Sequence, residues 1–511
     1  MSKGLKILQI GLDNWSHQYE IPENMDWYFV CPRSSKALRK MIEIDTISRF
    51  QAVLIEDGNS LTDVLEFTNF FEPHGLFYNQ DFKTTDPLLL DILKKQCAQP
   101  VDFSDPQALL QDLSTSLFSG GYGDKLFPSN IQIHSSFEGS ISYQGLEHVM
   151  IEGDFGTNFH QLACWSHNFM VYKNLPIELW LEYEKQDNCE LRLVIRKIWN
   201  GSVDEIFEEI LVTENDLEQA LIMENKEGDC YLAISVEARG QGILTIGNLH
   251  QRWSRKQFGK FVLGGNILHD SKRDEINYFF HPGDFKPPLA VYFSGYRPAE
   301  GFEGYFMMKT LGCPFILFSD PRLEGGAFYL GTDELEGKVK ETIAHYLDYL
   351  GFDRKDLILS GLSMGTFPAL YYGASFEPHA IIVGKPLANL GTIASRGRLD
   401  APGVSNLAFD CLIHHTGGRS SQDMTELDQR FWKIFKQANF SKTTFGLSYM
   451  KDEEMDPQAY ENLVTYLCNT GAKILSKGTA GRHNDDTDTN IAWFLHFYRM
   501  VLASDFGREK E

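Results

Sequence analysis

Apolar and polar positions along the chain fall into three textures. Up to about residue 127, short solid apolar runs alternate with stretches of helical spacing. Leu5 to Ile10, Trp27 to Val30, Ala52 to Ile55 and Gly75 to Tyr78 predict strands, and Leu61 to Phe71 and Pro106 to Leu117 predict helices. This rhythm predicts an α/β domain over 1–127 with a mainly parallel sheet. Ser119 to Asp124, rich in glycine, reads as a linker. From 128 to 269 the period shortens to two. Ile131 to His134, Leu191 to Ile195, Tyr231 to Val236 and Gly242 to Ile246 alternate as antiparallel strands with one wet face do, so this part predicts a β-rich, sandwich-like domain. From 270 to 511 the first rhythm returns. Leu289 to Gly295, Pro314 to Asp320, Leu357 to Leu362, Ala380 to Gly384, Thr444 to Met450 and Ala472 to Leu475 read as buried strands. Lys338 to Leu350 and Thr489 to Ala503 read as helices. Strand and helix in strict turn predict a parallel sheet covered on both faces.

Composition narrows the classes without choosing among them. A chain of 511 residues exceeds one core and divides into two or three domains. Its net charge of −23 lacks the basic footprint of a nucleic-acid binder and disfavours adsorption to anionic lipid. No apolar run is long enough to span a bilayer, and the apolar stretch near the N-terminus is too short for a signal-peptide core. The eight cysteines are scattered without a C-x-x-C, which predicts a reduced, cytoplasmic chain with neither a disulfide framework nor structural zinc. Gly11-Leu12-Asp13-Asn14 lies where a nucleotide loop could sit but lacks G-x-G-x-x-G, and reads as a tight turn. Trp165, Trp180, Trp199 and Trp253 could stack on sugars, but read first as core or sheet-face aromatics.

The candidate chemistry centres on Gly361-Leu362-Ser363-Met364-Gly365. An apolar run precedes it and a helical stretch with Pro368 near its start follows, the context of a nucleophile elbow. A serine nucleophile needs a base, and the base needs an orienting carboxylate; on an α/β-hydrolase sheet they follow in the order Ser, acid, His. Of the later histidines, His379 precedes a strand, His414 and His415 lie between two strands, and His496 sits inside a helix. His483 lies in a polar loop directly after the last strand, where a side chain can reach back over the elbow. The acid belongs after the preceding strand, where Asp452, Glu453, Glu454 and Asp456 compete and spacing does not choose. Those not used as the acid are expected to be solvated or to cap the next helix. Alternation points Asp452 and Glu454 one way and Glu453 the other. For an oxyanion hole, the Met364 N–H and the Tyr296 N–H, from the loop after Leu289 to Gly295, are the candidates.

The elbow G-L-S-M-G, the stretch L-S-Y-M-K-D-E-E-M-D and the late G-R-H-N-D resemble the second accessory secretory protein of streptococci and staphylococci. That family belongs to the accessory Sec system, which exports serine-rich-repeat glycoprotein adhesins. The resemblance runs the length of the chain and implies an α/β-hydrolase-like domain with a Ser-Glu-His triad, here Ser363, Glu453 and His483. It implies O-acetylation of N-acetylglucosamine on the adhesin, with no bound cofactor and an acetyl donor of unknown identity. It also implies, as partners, other accessory secretory proteins, an accessory SecA-type motor ATPase and the glycoprotein substrate, and a cytoplasmic location held to the inner membrane face by those partners. A plain serine esterase or lipase, and a non-enzymatic export adaptor, are the alternative functions.

Overall fold

The computed structural model describes residues 4–31, 34–56, 65–399 and 407–508. The chain divides into two compact units. The first comprises the residues up to Gly121 together with Asn174–Pro176 and Trp253–Gly265. Its five strands, β1 (Leu5–Ile10), β2 (Met25–Val30), β3 (Ala52–Ile55), β4 (Leu76–Asn79) and β5 (Gln99–Val101), form a parallel sheet in the order β2-β1-β3-β4-β5. The helices are α1 (Ser35–Ile44), α2 (Pro87–Lys95) and α3 (Pro106–Ser116). Side chains alternate between two cores. Leu8, Ile10, Val53 and Ile55 pack with Leu38 and Leu89, whereas Ile7, Ala52 and Leu54 pack with Leu110, Leu113 and Phe258. Arg255, from the distant segment, donates to the carbonyls of Ser116, Phe118 and Gly120 and caps the end of α3. Of the helix expected at Leu61 to Phe71, residues 61–64 lie outside the described residues, and Leu65–Phe70 form a 3₁₀ helix.

The second unit holds two sheets. In the nine-stranded one are β6 (Gly123–Leu126), β7 (Ile131–Ile133), β8 (Gly139–Gln144), β9 (His148–Trp165), β10 (Phe169–Val171), β11 (Ile177–Trp199), β12 (Ile206–Thr213), β13 (Leu221–Met223) and β14 (Cys230–Trp253). Its main path runs β12-β11-β14-β9-β7. The alternating runs Tyr231 to Val236 and Gly242 to Ile246 belong to one continuous strand of 24 residues. The Arg239-Gly240-Gln241-Gly242 segment, turn-like in sequence, carries register shifts against β9 and stays in the sheet. A side chain at Gly240 would strike the Asn188 carbonyl, so here glycine marks a close backbone approach.

The eight-stranded sheet contains β15 (Gly265–His269), β16 (Glu275–His281), β17 (Leu289–Phe293), β18 (Phe315–Ser319), β19 (Leu357–Leu362), β20 (Ala380–Gly384), β21 (Thr444–Met450) and β22 (Lys473–Thr479). Their order is β15-β16-β18-β17-β19-β20-β21-β22, antiparallel at β16–β18 and parallel from β18 through β22. Every residue of β17, β18 and β20 is buried, which is why these strands read as solid apolar runs. The helices are α4 (Tyr305–Lys309), α5 (Asp333–Leu350), α6 (Thr366–Phe376), α7 (Leu390–Leu399), α8 (Leu407–Thr416), α9 (Ser421–Phe435), α10 (Ala459–Leu467) and α11 (Thr487–Phe506). Among the described residues, no helix is long and apolar enough to cross a membrane.

A buried ionic chain ties the two sheets together. His250 on β14 contacts Glu300 through Nδ1 at 2.5 Å and Glu182 on β11 through Nε2 at 2.8 Å. Arg252 reaches Glu300 and Glu275, each at 2.5 Å. Burial alone would lower the His250 pKa, but Glu300 and Glu182 overcome it and hold the imidazole up at about 9. Replacing Glu300 by alanine leaves two buried cations short of a partner, and should cost about 3–5 kcal/mol, read as a fall in melting temperature. Because the folded-state pKa of His250 is raised, its contribution is complete below the unfolded value of 6.5 and is lost as pH rises through about 9. The melting-temperature gap between the wild type and His250→Gln should therefore narrow over that interval.

Candidate functional site

Ser363 stands between β19 and α6 with φ of +51°, in the left-handed region that a non-glycine residue seldom occupies. The turn is feasible because its flanks are glycines. A Cβ at Gly361 would strike the Gly365 backbone, and one at Gly365 would strike the carbonyl of Phe293 at the end of β17. Thr366 donates through Oγ1 to the Ser363 carbonyl at 2.6 Å and accepts the Leu387 N–H at 2.9 Å, fixing the elbow to the loop after β20.

Three sequence-predicted residues meet here. Ser363 Oγ lies 2.7 Å from His483 Nε2, and His483 Nδ1 lies 2.8 Å from Glu453 Oε2 and 3.0 Å from Oε1. A carboxylate only accepts, so Nδ1 carries the proton and Nε2 presents its lone pair to the serine hydroxyl. The His483 side chain is 3% exposed and that of Glu453 11%, so the chain of hydrogen bonds is shielded on the protein side. The other histidines are elsewhere: His379 pairs with Asp505, His414 sits between Glu147 and Asp274, His415 contacts the Ala327 carbonyl, and His496 packs edge-on to Trp493. His414 and His415 lie on helix α8, between strands β20 and β21 as expected.

The neighbouring acids take main-chain partners. Asp452 accepts the Gly481 N–H at 3.1 Å while its own N–H donates to the Gly481 carbonyl. Glu454 accepts the His483 N–H at 2.8 Å. Asp452 is exposed, as a solvated acid is expected to be, and Glu454 is half-buried. Three consecutive carboxylates grip one loop, with Glu453 on the ring and its two neighbours on the main chain. Asp456 is buried rather than solvated or capping: it accepts the N–H groups of Ala388 and Asn389 and the Asn389 amide, each at 2.8 Å. Burial pushes its pKa up to about 6 against those hydrogen bonds.

Around Tyr296, the Gly295 N–H donates to Glu303 Oε2 at 2.7 Å, and Gly295 lies against the Leu362 carbonyl, bringing the loop beside the elbow. The Tyr296 side chain is half-exposed, with its ring over Gly325, and the Met364 side chain is buried against Gly326. Sequence reasoning missed Glu303, for which a polar loop gives no signal. It also missed Lys385, which follows β20 with φ of +58° and donates to Thr487 Oγ1 at 2.9 Å. Burial lowers the Lys385 pKa, opposed by the field of Glu453 and nearby acids. A polar residue closing a solid apolar run, as in Val383-Gly384-Lys385, was the available signal.

A strained serine elbow on a mostly parallel sheet, with the order Ser, Glu, His along the chain, defines an α/β-hydrolase-like protein. Residues 5–508 match the model of a family described as the accessory Sec system GspB-transporter. The chain belongs to that family, which is that of the second accessory Sec system protein, and is thus a component of the accessory Sec system. It is 49% identical over 511 residues to the second accessory Sec system protein of Streptococcus gordonii, covering all of both chains. It is 38% identical to the corresponding protein of Staphylococcus aureus (strain NCTC 8325 / PS 47), covering 99% of this chain and 98% of that one. A chain in the solved structure of the Glycosylation Associate Protein (Gap123) complex from Streptococcus agalactiae superposes with a TM-score of 0.95 at 39% identity over the whole of both chains.

The carboxylate grip on the histidine loop predicts a local effect. Glu454→Ala removes the acceptor of the His483 N–H, a loss of about 1–3 kcal/mol of local protection. Amide exchange of a peptide spanning 481–485 should quicken about tenfold or more, with exchange in β21 unchanged.

Proposed function

We propose that this protein is a serine-dependent O-acetyltransferase that modifies N-acetylglucosamine on serine-rich-repeat glycoprotein adhesins and supports their export. The observation that carries the reading is the continuous hydrogen-bond chain from Ser363 Oγ through the His483 ring to Glu453. Ser363 attacks the carbonyl of an acetyl donor as its proton passes to His483 Nε2. The imidazolium, held by Glu453, returns that proton to the leaving group, and an acetyl-serine forms. A sugar hydroxyl then gives its proton to His483 and attacks the acetyl carbon; its ester bond forms as the bond to Ser363 Oγ breaks, and His483 returns the proton to the serine. The N–H groups of Met364 and Tyr296 stabilise the oxyanion in both halves.

Transfer to sugar rather than to water rests on the family resemblance, and plain esterase chemistry at the same serine is the outcome it must beat. The transport role rests on family membership. The assembly of the Streptococcus agalactiae relative into a complex supports other accessory secretory proteins as partners here, with the SecA-type motor and the adhesin as further ones. In this reading the protein works on the cytoplasmic side, held at the membrane by those partners.

Mass spectrometry of the exported adhesin's glycans tests the chemistry. Ser363→Ala should leave the glycans without O-acetyl groups while export and melting temperature stay as in the wild type. Glu453→Gln should lower acetyl transfer by about 10²–10⁴-fold, since an amide no longer favours the required imidazole tautomer. Retention of most acetyl groups in Ser363→Ala would overturn the assignment, and hydrolysis without transfer would select the esterase reading.

A further inference from the structure

A second, separate cleft of about 520 Å³ opens between the nine-stranded sheet and the loop that follows β18. Neither Ser363, Glu453 nor His483 lines it. Its volume lies in the range of small-molecule sites and suits one or two sugar rings. Four acidic side chains and four lysines or arginines line it, so its walls carry no large excess of either sign. Most of those charges are already matched within the protein. Asp274 lies 3.1 Å from both Arg322 and His414, Glu182 accepts from His250 at 2.8 Å, and Arg430 binds Glu336 at 2.7 Å. Arg322 is in turn held by Asp320 at 2.7 Å.

This arrangement selects the chemistry of the occupant. On the inner wall, where Asp274, Arg322 and Glu182 stand, a charged ligand would have to break an existing buried pair and leave one partner uncompensated. A hydroxyl both donates and accepts, so it can use the remaining lone pairs of a matched carboxylate and the remaining hydrogens of a matched guanidinium without breaking either. Tyr183 lies in the same wall, with the Arg273 guanidinium 4.9 Å from its ring centroid on one side, so only its other face is left for a sugar ring. At the mouth, Glu184 and Lys272 are well exposed and 4.0 Å apart. The cleft also adjoins the elbow through a single loop. Arg322 lines the cleft, while Gly326 four residues on packs against the Met364 side chain, and Asp320 fixes that loop through the N–H groups of Ala327 and Tyr329.

We infer that this cleft is a binding site for a neutral carbohydrate, distinct from the site at Ser363. That the sugar held here belongs to the acetyl acceptor rests on the function proposed above; the binding itself does not.

Titration calorimetry on the full-length Ser363→Ala protein tests it, with N-acetylglucosamine oligomers and glucose oligomers as probes and inorganic phosphate as the charged control. At least one sugar series should bind and phosphate should not. Glu184→Gln, Lys272→Ala and Tyr183→Ala, each checked for an unchanged melting temperature, should weaken the sugar about tenfold or more. The two rim substitutions keep the test decisive if Tyr183→Ala perturbs folding. In a background with Ser363 intact, the rim variants should turn over a small acetyl ester at the wild-type rate. Failure of Ser363 to turn over any ester would sink the acetyltransferase reading and leave this titration unaffected. No sugar binding, sugar binding untouched by the variants, or binding of phosphate in its place would each overturn the inference.

Discussion

The fold closes around one strained backbone position. Holding Ser363 at φ of +51° costs on the order of 1–3 kcal/mol, which the surroundings must offset. They do so by proximity: the Gly361 and Gly365 backbones touch, the Phe293 carbonyl fills the space a Gly365 side chain would need, and Thr366 clasps the Ser363 carbonyl from within the helix. The same close approach fixes where the loops after β17, β18 and β20 can run, because each packs against the elbow. Strain at the serine and order in the neighbouring loops are one constraint seen from two sides.

Those loops are organised by carboxylates that accept main-chain N–H groups more than by surface ion pairs. Asp320, Asp456, Asp452, Glu454 and Glu303 each bind the backbone of a loop at or next to the elbow, the histidine or the cleft. A charge-assisted bond to a backbone N–H is stronger than a neutral one and fixes a loop's course without a partner side chain. Part of the negative charge of the chain is therefore spent on shaping loops.

How much of this was legible in the sequence follows from how local each determinant is. The elbow was legible because strand, glycines and helix start lie within a dozen residues of Ser363. His483 was legible by its place after the last strand. Spacing did not single out Glu453, since three adjacent acids with the same local pattern take different partners; the family resemblance pointed to it, and in the fold it is the one on the His483 ring. The parallel sheets were readable from solid apolar runs. The long strand β14 was not, because its two apolar runs are separated by Arg239-Gly240-Gln241, and Gly240 is instead a site where a neighbouring strand comes close. The strand β5 hid behind Pro100, and Glu303 and the cleft arise from segments far apart in sequence.

The first compact unit is discontinuous, and this bears on the order in which the chain can fold. Its core includes Phe258, and the end of α3 is capped by Arg255, residues that follow β14. As the chain leaves the ribosome N-terminus first, the five-stranded sheet is complete in sequence long before these two side chains exist. It must wait, with one face partly bare, through the synthesis of more than a hundred residues. The last step in building the N-terminal unit is therefore a long-range closure of high contact order. A fragment cut at the apparent linker near residue 121 would carry the whole sheet and lack the residues that finish its core.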